Sequence, residues 1–191
     1  MPNLRERRRR RTADSIRTAA VALVHAKGLD NVTAEMISDA AGISPRTFFN
    51  YFSYKEEALF PASPEFPPEA IEAFIAGRGR LVDDLAELIL PLPEFFDTDP
   101  AMLKKLFESA DAHPKLVILK IAAFTELETR LAAMIGARLG VKAADDRPVL
   151  MAAMIATAIR VGVGRWVEGG VGSAEDHLRR TLRDVQTVFQ G

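Results

Sequence analysis

Apolar residues recur along this chain at helical spacing. Ile16, Ala19, Ala20 and Leu23 fall at i, i+3, i+4 and i+7, marking one face of a helix over about residues 9–26, with Gly28 placed to stop it. Thr33 reads as the N-cap of a second helix, carried by Ala34, Ile37, Ala40 and Ala41 up to Gly42. Ser44-Pro45 opens a third: a hydroxyl at the N-cap and a proline at the first helical position, where its missing N–H costs nothing. That helix is expected to reach Tyr51 or Phe52, and a short fourth one spans 54–60, stopped by Pro61. Pro61, Pro64, Pro67 and Pro68 then forbid continuous helix and mark a joint between a small head and a larger body. Helical patterns resume at 69–76, 81–90 and 100–110, and 114–139 is one run of about 39 Å. The last two helices, 147–168 and 173–189, are separated by Gly169, Gly170 and Gly172. No alternating strand pattern of useful length and no internal repeat is found. The fold class is all-α, with a head over residues 1–60 and a helical body over 61–191.

Residues 33–55, TAEMISDAAGISPRTFFNYFSYK, make two short helices joined by a tight turn at Gly42, and Ser38 and Ala41 are small enough for close approach. At 100° per residue the third helix carries Phe48, Tyr51 and Phe52 on one side and Pro45, Arg46, Phe49 and Asn50 on the other. An aromatic inner side with an outer side of Arg, Asn and an exposed Phe is odd for a purely structural helix. It suits a helix laid in the major groove of DNA.

The run Thr33, Ile37, Ala41-Gly42-Ile43-Ser44, Thr47-Phe48-Phe49, Tyr51-Phe52 and Lys55-Glu56 resembles the DNA-binding signature of TetR-family repressors, with the helix-turn-helix over 33–52. Beyond residue 60 the resemblance is architectural only. It implies a DNA-binding transcriptional regulator, usually a repressor, that works as a homodimer on a palindromic double-stranded operator and responds to a small-molecule effector. Carried onto these residues, it makes Arg46 the direct reader, its guanidinium fork matching guanine O6 and N7. Pro45 and Phe49 would lean on base edges or thymine methyls, and Thr33, Ser44, Thr47, Asn50, Tyr51 and Lys55 would bind phosphates. The arginine cluster at 7–11 would enter a minor groove or track the backbone, or be a solvated tail. Two departures stand out: Phe49 occupies a position that more often holds tyrosine, and proline interrupts the usually long fourth helix.

The stretch 147–168 is apolar nearly all round, which implies burial on every side, against the same chain and against a partner. With the helix after it, it resembles the family's four-helix dimer interface, to which Met151, Ile155, Ile159, Gly162, Leu178, Leu182, Val185 and Phe189 are assigned. A monomeric bundle core is the alternative for the same residues. TetR-type bodies enclose an effector pocket. Phe95, Phe96, Met102, Leu106, Phe107, Phe124 and Trp166 are available linings for an apolar or amphipathic ligand, each equally able to be plain core. Arg160, a cation in an apolar helix, could meet an anionic ligand or pair with a carboxylate across a dimer.

Charge sharpens this reading without carrying it. Residues 1–60 hold 10 Lys/Arg against 7 Asp/Glu and the remainder 15 against 19, a basic head on an acidic body. The absence of cysteine excludes disulfides, thiolate metal sites and cysteine nucleophiles. His25, His113 and His177 are scattered without metal-ligand spacing, Gly162-x-Gly164 lacks the third glycine of a dinucleotide fingerprint, and no nucleophile elbow occurs. No enzyme activity, metal or cofactor is expected. Arg160 interrupts the longest apolar stretch, 149–167, and no apolar run backs the N-terminal arginines, so neither a membrane partner nor a secretory signal is expected and the place of action is the cytoplasm. A helical protein–protein adaptor without a DNA role remains the rival reading.

Overall fold

The computed structural model of the chain describes residues 4–59, 66–91, 100, 101, 103, 104, 107, 108 and 113–187, and among these every regular element is helical. Eight α-helices have defined bounds: α1 Leu4–Lys27, α2 Ala34–Ala40, α3 Pro45–Phe49, α4 Pro68–Ala76, α5 Leu81–Ile89, α6 Pro114–Leu139, α7 Asp146–Val167 and α8 Ala174–Val185. The described positions between 100 and 108 are helical as well. The chain divides into two compact units, one of Met1–Pro61 with Ala101–Ile121 and one of Ala62–Pro100 with Ala122–Gly191.

The first unit is built around Phe48. Ile16 and Ala20 of α1, Leu29 and Val32 of the following turn, Ile37 of α2, Phe48, Phe52, Ala58, Leu59 and Leu116 bury one another in a single cluster. Each helix end has a local cause. Thr33 Oγ1 accepts the Met36 N–H at 3.3 Å, and Ser44 Oγ accepts the Thr47 N–H at 3.1 Å with Pro45 at the first turn of α3. Helix α2 ends where Gly42 takes φ +68°, letting Ile43 N–H reach Ser38 O at 3.0 Å and Gly42 N–H reach Asp39 O at 3.1 Å. Buried Ser38 satisfies itself by donating to Ala34 O at 2.7 Å.

Three local expectations are corrected here. Helix α1 begins at Leu4, so residues 5–11 are a continuation of the helix; arginine and glutamate are good helix formers, and no breaker lies between Asn3 and Gly28. Helix α3 closes at Phe49 with Asn50 as its C-cap, and Tyr51 and Phe52 follow as a turn whose N–H groups both bond Phe48 O. The fourth helix expected over 54–60 is a single 3-10 turn, Glu57–Leu59. So few residues before Pro61 cannot repay helix nucleation, and the Glu57 carboxylate instead accepts the Ser53 N–H at 2.6 Å.

The second unit has its own core, drawn from Leu85 and Ile89 of α5, Leu131 and Ile135 of α6, Ile155 and Ile159 of α7, and Leu178 and Leu182 of α8. Helices α7 and α8 pair most extensively. Gly162 makes that pairing close: a Cβ there would sit 2.7 Å from Thr181 Oγ1. Helix α8 opens with a reciprocal cap, Ser173 Oγ accepting the Asp176 N–H and the Asp176 carboxylate accepting the Ser173 N–H. The turn between α4 and α5 is held by Arg138 of α6. Its nearly buried guanidinium donates to Phe74 O and Gly79 O at 2.9 Å, pairs with Asp84, and stacks 4.8 Å from the centre of the Phe74 ring.

Within its own chain helix α7 is buried on one side, and the other is the side expected to meet a partner. Pro148, Ala152, Ile155, Ala156, Ile159 and Gly162 face inward, whereas Val149, Leu150, Thr157, Arg160 and Arg165 are exposed. By length and composition alone α7 is apolar enough to cross a membrane, and a third of the window that qualifies is packed inside the chain, 33%.

Candidate nucleic-acid interface

The head core decides which residues α3 presents. Phe48 is fully buried and Phe52 nearly so, which turns Pro45, Arg46, Phe49 and Asn50 outward, all four exposed. Phe49, 52% exposed, is propped edge-on against Phe48 with ring centres 5.3 Å apart. This is the outward face expected from helical spacing. Thr33 and Ser44 are exposed and stand at the N-termini of α2 and α3, with Thr47 half buried and its hydroxyl 2.9 Å from Ser44 Oγ. Hydroxyls thus stand at two helix starts, where partial positive charge favours anions.

Two of the expected phosphate ligands are already engaged within the head. Lys55 donates from Nζ to Leu29 O at 2.8 Å and to Val32 O at 2.7 Å, tying the segment after α3 to the turn before α2. Tyr51 is half buried, and the Arg9 guanidinium lies 5.8 Å from its ring centre; Arg17 sits 5.4 Å over Phe52 and 3.0 Å from the Asp14 carboxylate. Arg17 was not singled out in the sequence, and Arg9 only as one of the cluster at 7–11, without its contact to Tyr51. The signal was present: Arg9, Ala13, Ile16 and Ala20 follow i, i+4, i+7 and i+11, so a helix continued toward the N-terminus places Arg9 on the core-facing side. Glu35 lies beside Thr33, and its carboxyl is held below the usual range by its own backbone N–H and then by the Thr33 hydroxyl.

In the body, the residues assigned to a dimer surface are mostly interior. Ile155, Ile159, Gly162, Leu178 and Leu182 are buried within the chain itself, so they have no surface to offer a partner. Their apolar character serves the pairing of α7 with α8. Met151 and Val185 are half buried, and Phe189 lies outside the described residues. Of the ligand candidates, Phe95, Phe96, Met102 and Leu106 also lie outside the described residues. Phe107 is half buried with Lys120 Nζ 5.1 Å from its ring centre and belongs to the first unit; Phe124 and Trp166, also half buried, belong to the second. Arg160 stands on the exposed side of α7. Among the described residues no cluster of His, Asp or Glu could hold a metal ion.

The comparisons with known proteins agree with the geometry of the head. The family model for bacterial regulatory proteins of the tetR family matches residues 16–62. The HTH-type transcriptional regulator TcmR of Streptomyces glaucescens is 33% identical over 183 residues, covering 86% of this chain and 77% of TcmR. The chain belongs to the TetR family. This TetR-family member is therefore a DNA-binding transcriptional regulator, and the adaptor reading is not favoured. Its relatives are regulators, not enzymes. Two solved structures share the fold over nearly the whole chain. Thermus thermophilus FadR, a TetR-family transcriptional repressor in complex with lauroyl-CoA, matches with TM-score 0.58 and 24% identity over 93% of this chain and 94% of that one. A TetR-family regulator from Mesorhizobium loti MAFF303099 matches with TM-score 0.55 and 17% identity over 95% and 98%.

Proposed function

We propose that this regulator is a cytoplasmic repressor that binds a palindromic operator as a homodimer and releases it when a small apolar or amphipathic ligand occupies the body. The observation that carries the DNA side is the outward quartet Pro45, Arg46, Phe49 and Asn50 on a helix anchored from behind by Phe48. Arg46 reads a guanine edge, while Ser44, Thr47 and the helix starts set register on phosphates. Residues 1–60 serve as the DNA-binding part and 61–191 as the ligand-binding and dimerising part. Support for an amphipathic effector comes from the FadR neighbour, described with lauroyl-CoA.

The dimer surface falls on the side of α7 that its own chain leaves open. At 100° per residue Val149, Leu150, Ala153, Thr157, Arg160, Val161 and Gly164 form one continuous strip, exposed or half buried, with small residues where a second helix could approach closely. Leu150→Glu is expected to yield monomer in sedimentation at concentrations where the parent is dimeric; unchanged mass would reject that strip.

The function itself is tested by mobility shift and footprinting on the DNA upstream of its own coding sequence. A protected palindrome with half-site centres about 34–36 Å apart or a multiple, and a steep fall of affinity with salt, are expected. One short asymmetric footprint would reject the dimeric repressor.

A further inference from the structure

The turn joining α7 to α8 carries glycine at 169, 170 and 172, and the imidazole it covers gives one reason. His177, the fourth residue of α8, is 5% exposed, and its Nε2 is buried without a hydrogen-bond partner. A Cβ on Gly170 would sit 2.5 Å from His177 Cε1 and 2.7 Å from Nε2, so glycine alone lets the backbone close over the ring. His177 and this turn line an open cavity of about 560 Å³ together with Arg165 from the end of α7, Arg180 from α8 and Glu168. Asp176, four residues before Arg180, is bonded to the Ser173 hydroxyl and N–H, and its charge also acts on His177 and Arg180.

An orphaned buried ring nitrogen in a native fold calls for a partner. Two guanidinium forks supplied by two helices match the planar oxygens of a carboxylate or the tetrahedral ones of a phosphate, and outnumber the single carboxylate of Glu168. We propose that this cavity binds a small oxyanion, a carboxylate or phosphate group, between Arg165 and Arg180 with His177 Nε2 as the buried donor. The site lies wholly within the α7–α8 pair, so occupation braces that pair. It stands independently of the operator and effector assignments above.

The test is NMR on the full chain with labelled histidine, titrating inorganic phosphate, acetate and chloride separately at matched pH and ionic strength. A saturable shift of the His177 ring signals by phosphate or by acetate is expected, with His25 and His113 unmoved, and the more effective anion identifies the ligand class. Arg165→Gln with Arg180→Gln, both on exposed side chains, should weaken that response at least tenfold while the circular dichroism spectrum stays unchanged. Equal shifts with chloride, or a double variant that titrates like the parent, would overturn the proposal. So would His177 signals that follow protein concentration instead of anion, because a second copy would then be the occupant.

Discussion

In the head, the residues proposed to read DNA are those the core leaves out; in the body, the residues assigned to a dimer surface are mostly those the core takes in. Both regions are helical and both bury branched and aromatic side chains, yet their apolar patterns mean different things. The head core is small, and Phe48 with Phe52 anchors the inner side of α3 in it. The exposed face follows by exclusion. In the body, α7 carries apolar residues on nearly all sides, so hydrophobicity alone cannot separate the side facing α8 from the side facing solvent. Burial in a single chain does separate them, and it sends Ile155, Ile159, Leu178 and Leu182 inward.

The strongest way to break this comparison is to empty each core in turn. Phe48→Ala is expected to cost about 3–5 kcal/mol, and Ile159→Ala about 2–5 kcal/mol, as large-to-small changes at closely packed sites. The chain has one tryptophan, Trp166, in the second unit, so its fluorescence reports the body. Phe48→Ala should abolish operator binding and lower the far-UV melting transition while leaving the Trp166 transition in place. Ile159→Ala should shift the Trp166 transition directly. If both substitutions moved both signals equally, head and body would be one cooperative unit and the contrast would fail.

Lys55→Ala sharpens the head side of it. The ammonium holds two backbone carbonyls on the turn before α2, and losing such charged hydrogen bonds should cost the fold about 1.5–3 kcal/mol. A lysine used this way acts through the placement of α2 and α3, so the variant should bind all DNA sequences more weakly with an unchanged slope of log affinity against log salt. A phosphate ligand would instead flatten that slope by about 0.9 per contact.

What the sequence made legible tracks how local the cause is. Thr33, Ser44-Pro45, Gly42 and the Phe48/Phe49 division depend on neighbours within one or two turns, and each was readable from spacing. Arg138 was not, because its partners at Phe74, Gly79 and Asp84 lie more than fifty residues away and no pattern announces them. The bonds of Lys55 were hidden for the same reason: its partners at Leu29 and Val32 come from another element. The start of α1 was missed differently: apolar spacing placed it at about residue 9, where the intrinsic propensity of the arginine run carries the helix back to Leu4.

Arg46→Ala probes the outward face without touching the core. Its side chain is exposed, so stability should hardly change, while affinity for the operator should fall by about 1–3 kcal/mol and preference relax at one base pair per half-site. Titration against a panel of single-position operator variants checks this. Unchanged preference at every position would take the base-reading role away from Arg46.

The smallest expected effect compares the first turns of α2 and α8, one in each region. Glu35 is held below its ordinary 4.5 by its own backbone N–H first and the Thr33 hydroxyl second. Asp176 is held below its ordinary 3.8 by the Ser173 hydroxyl first and the Ser173 N–H second. A carboxyl with a lower pKa in the folded state contributes stability that is complete above the unfolded value and disappears as pH falls through the folded one. Both groups are fully exposed, so each contribution is slight. On acidification the α2 cap should therefore begin to weaken below about pH 4.5 and the α8 cap only below about 3.8. Carboxyl NMR titration checks the order, and Thr33→Ala and Ser173→Ala should each return the matching carboxyl toward its ordinary value without moving the other. A Ser173→Ala variant that left Asp176 unshifted would show that the reciprocal cap of α8 contributes nothing to its acid response.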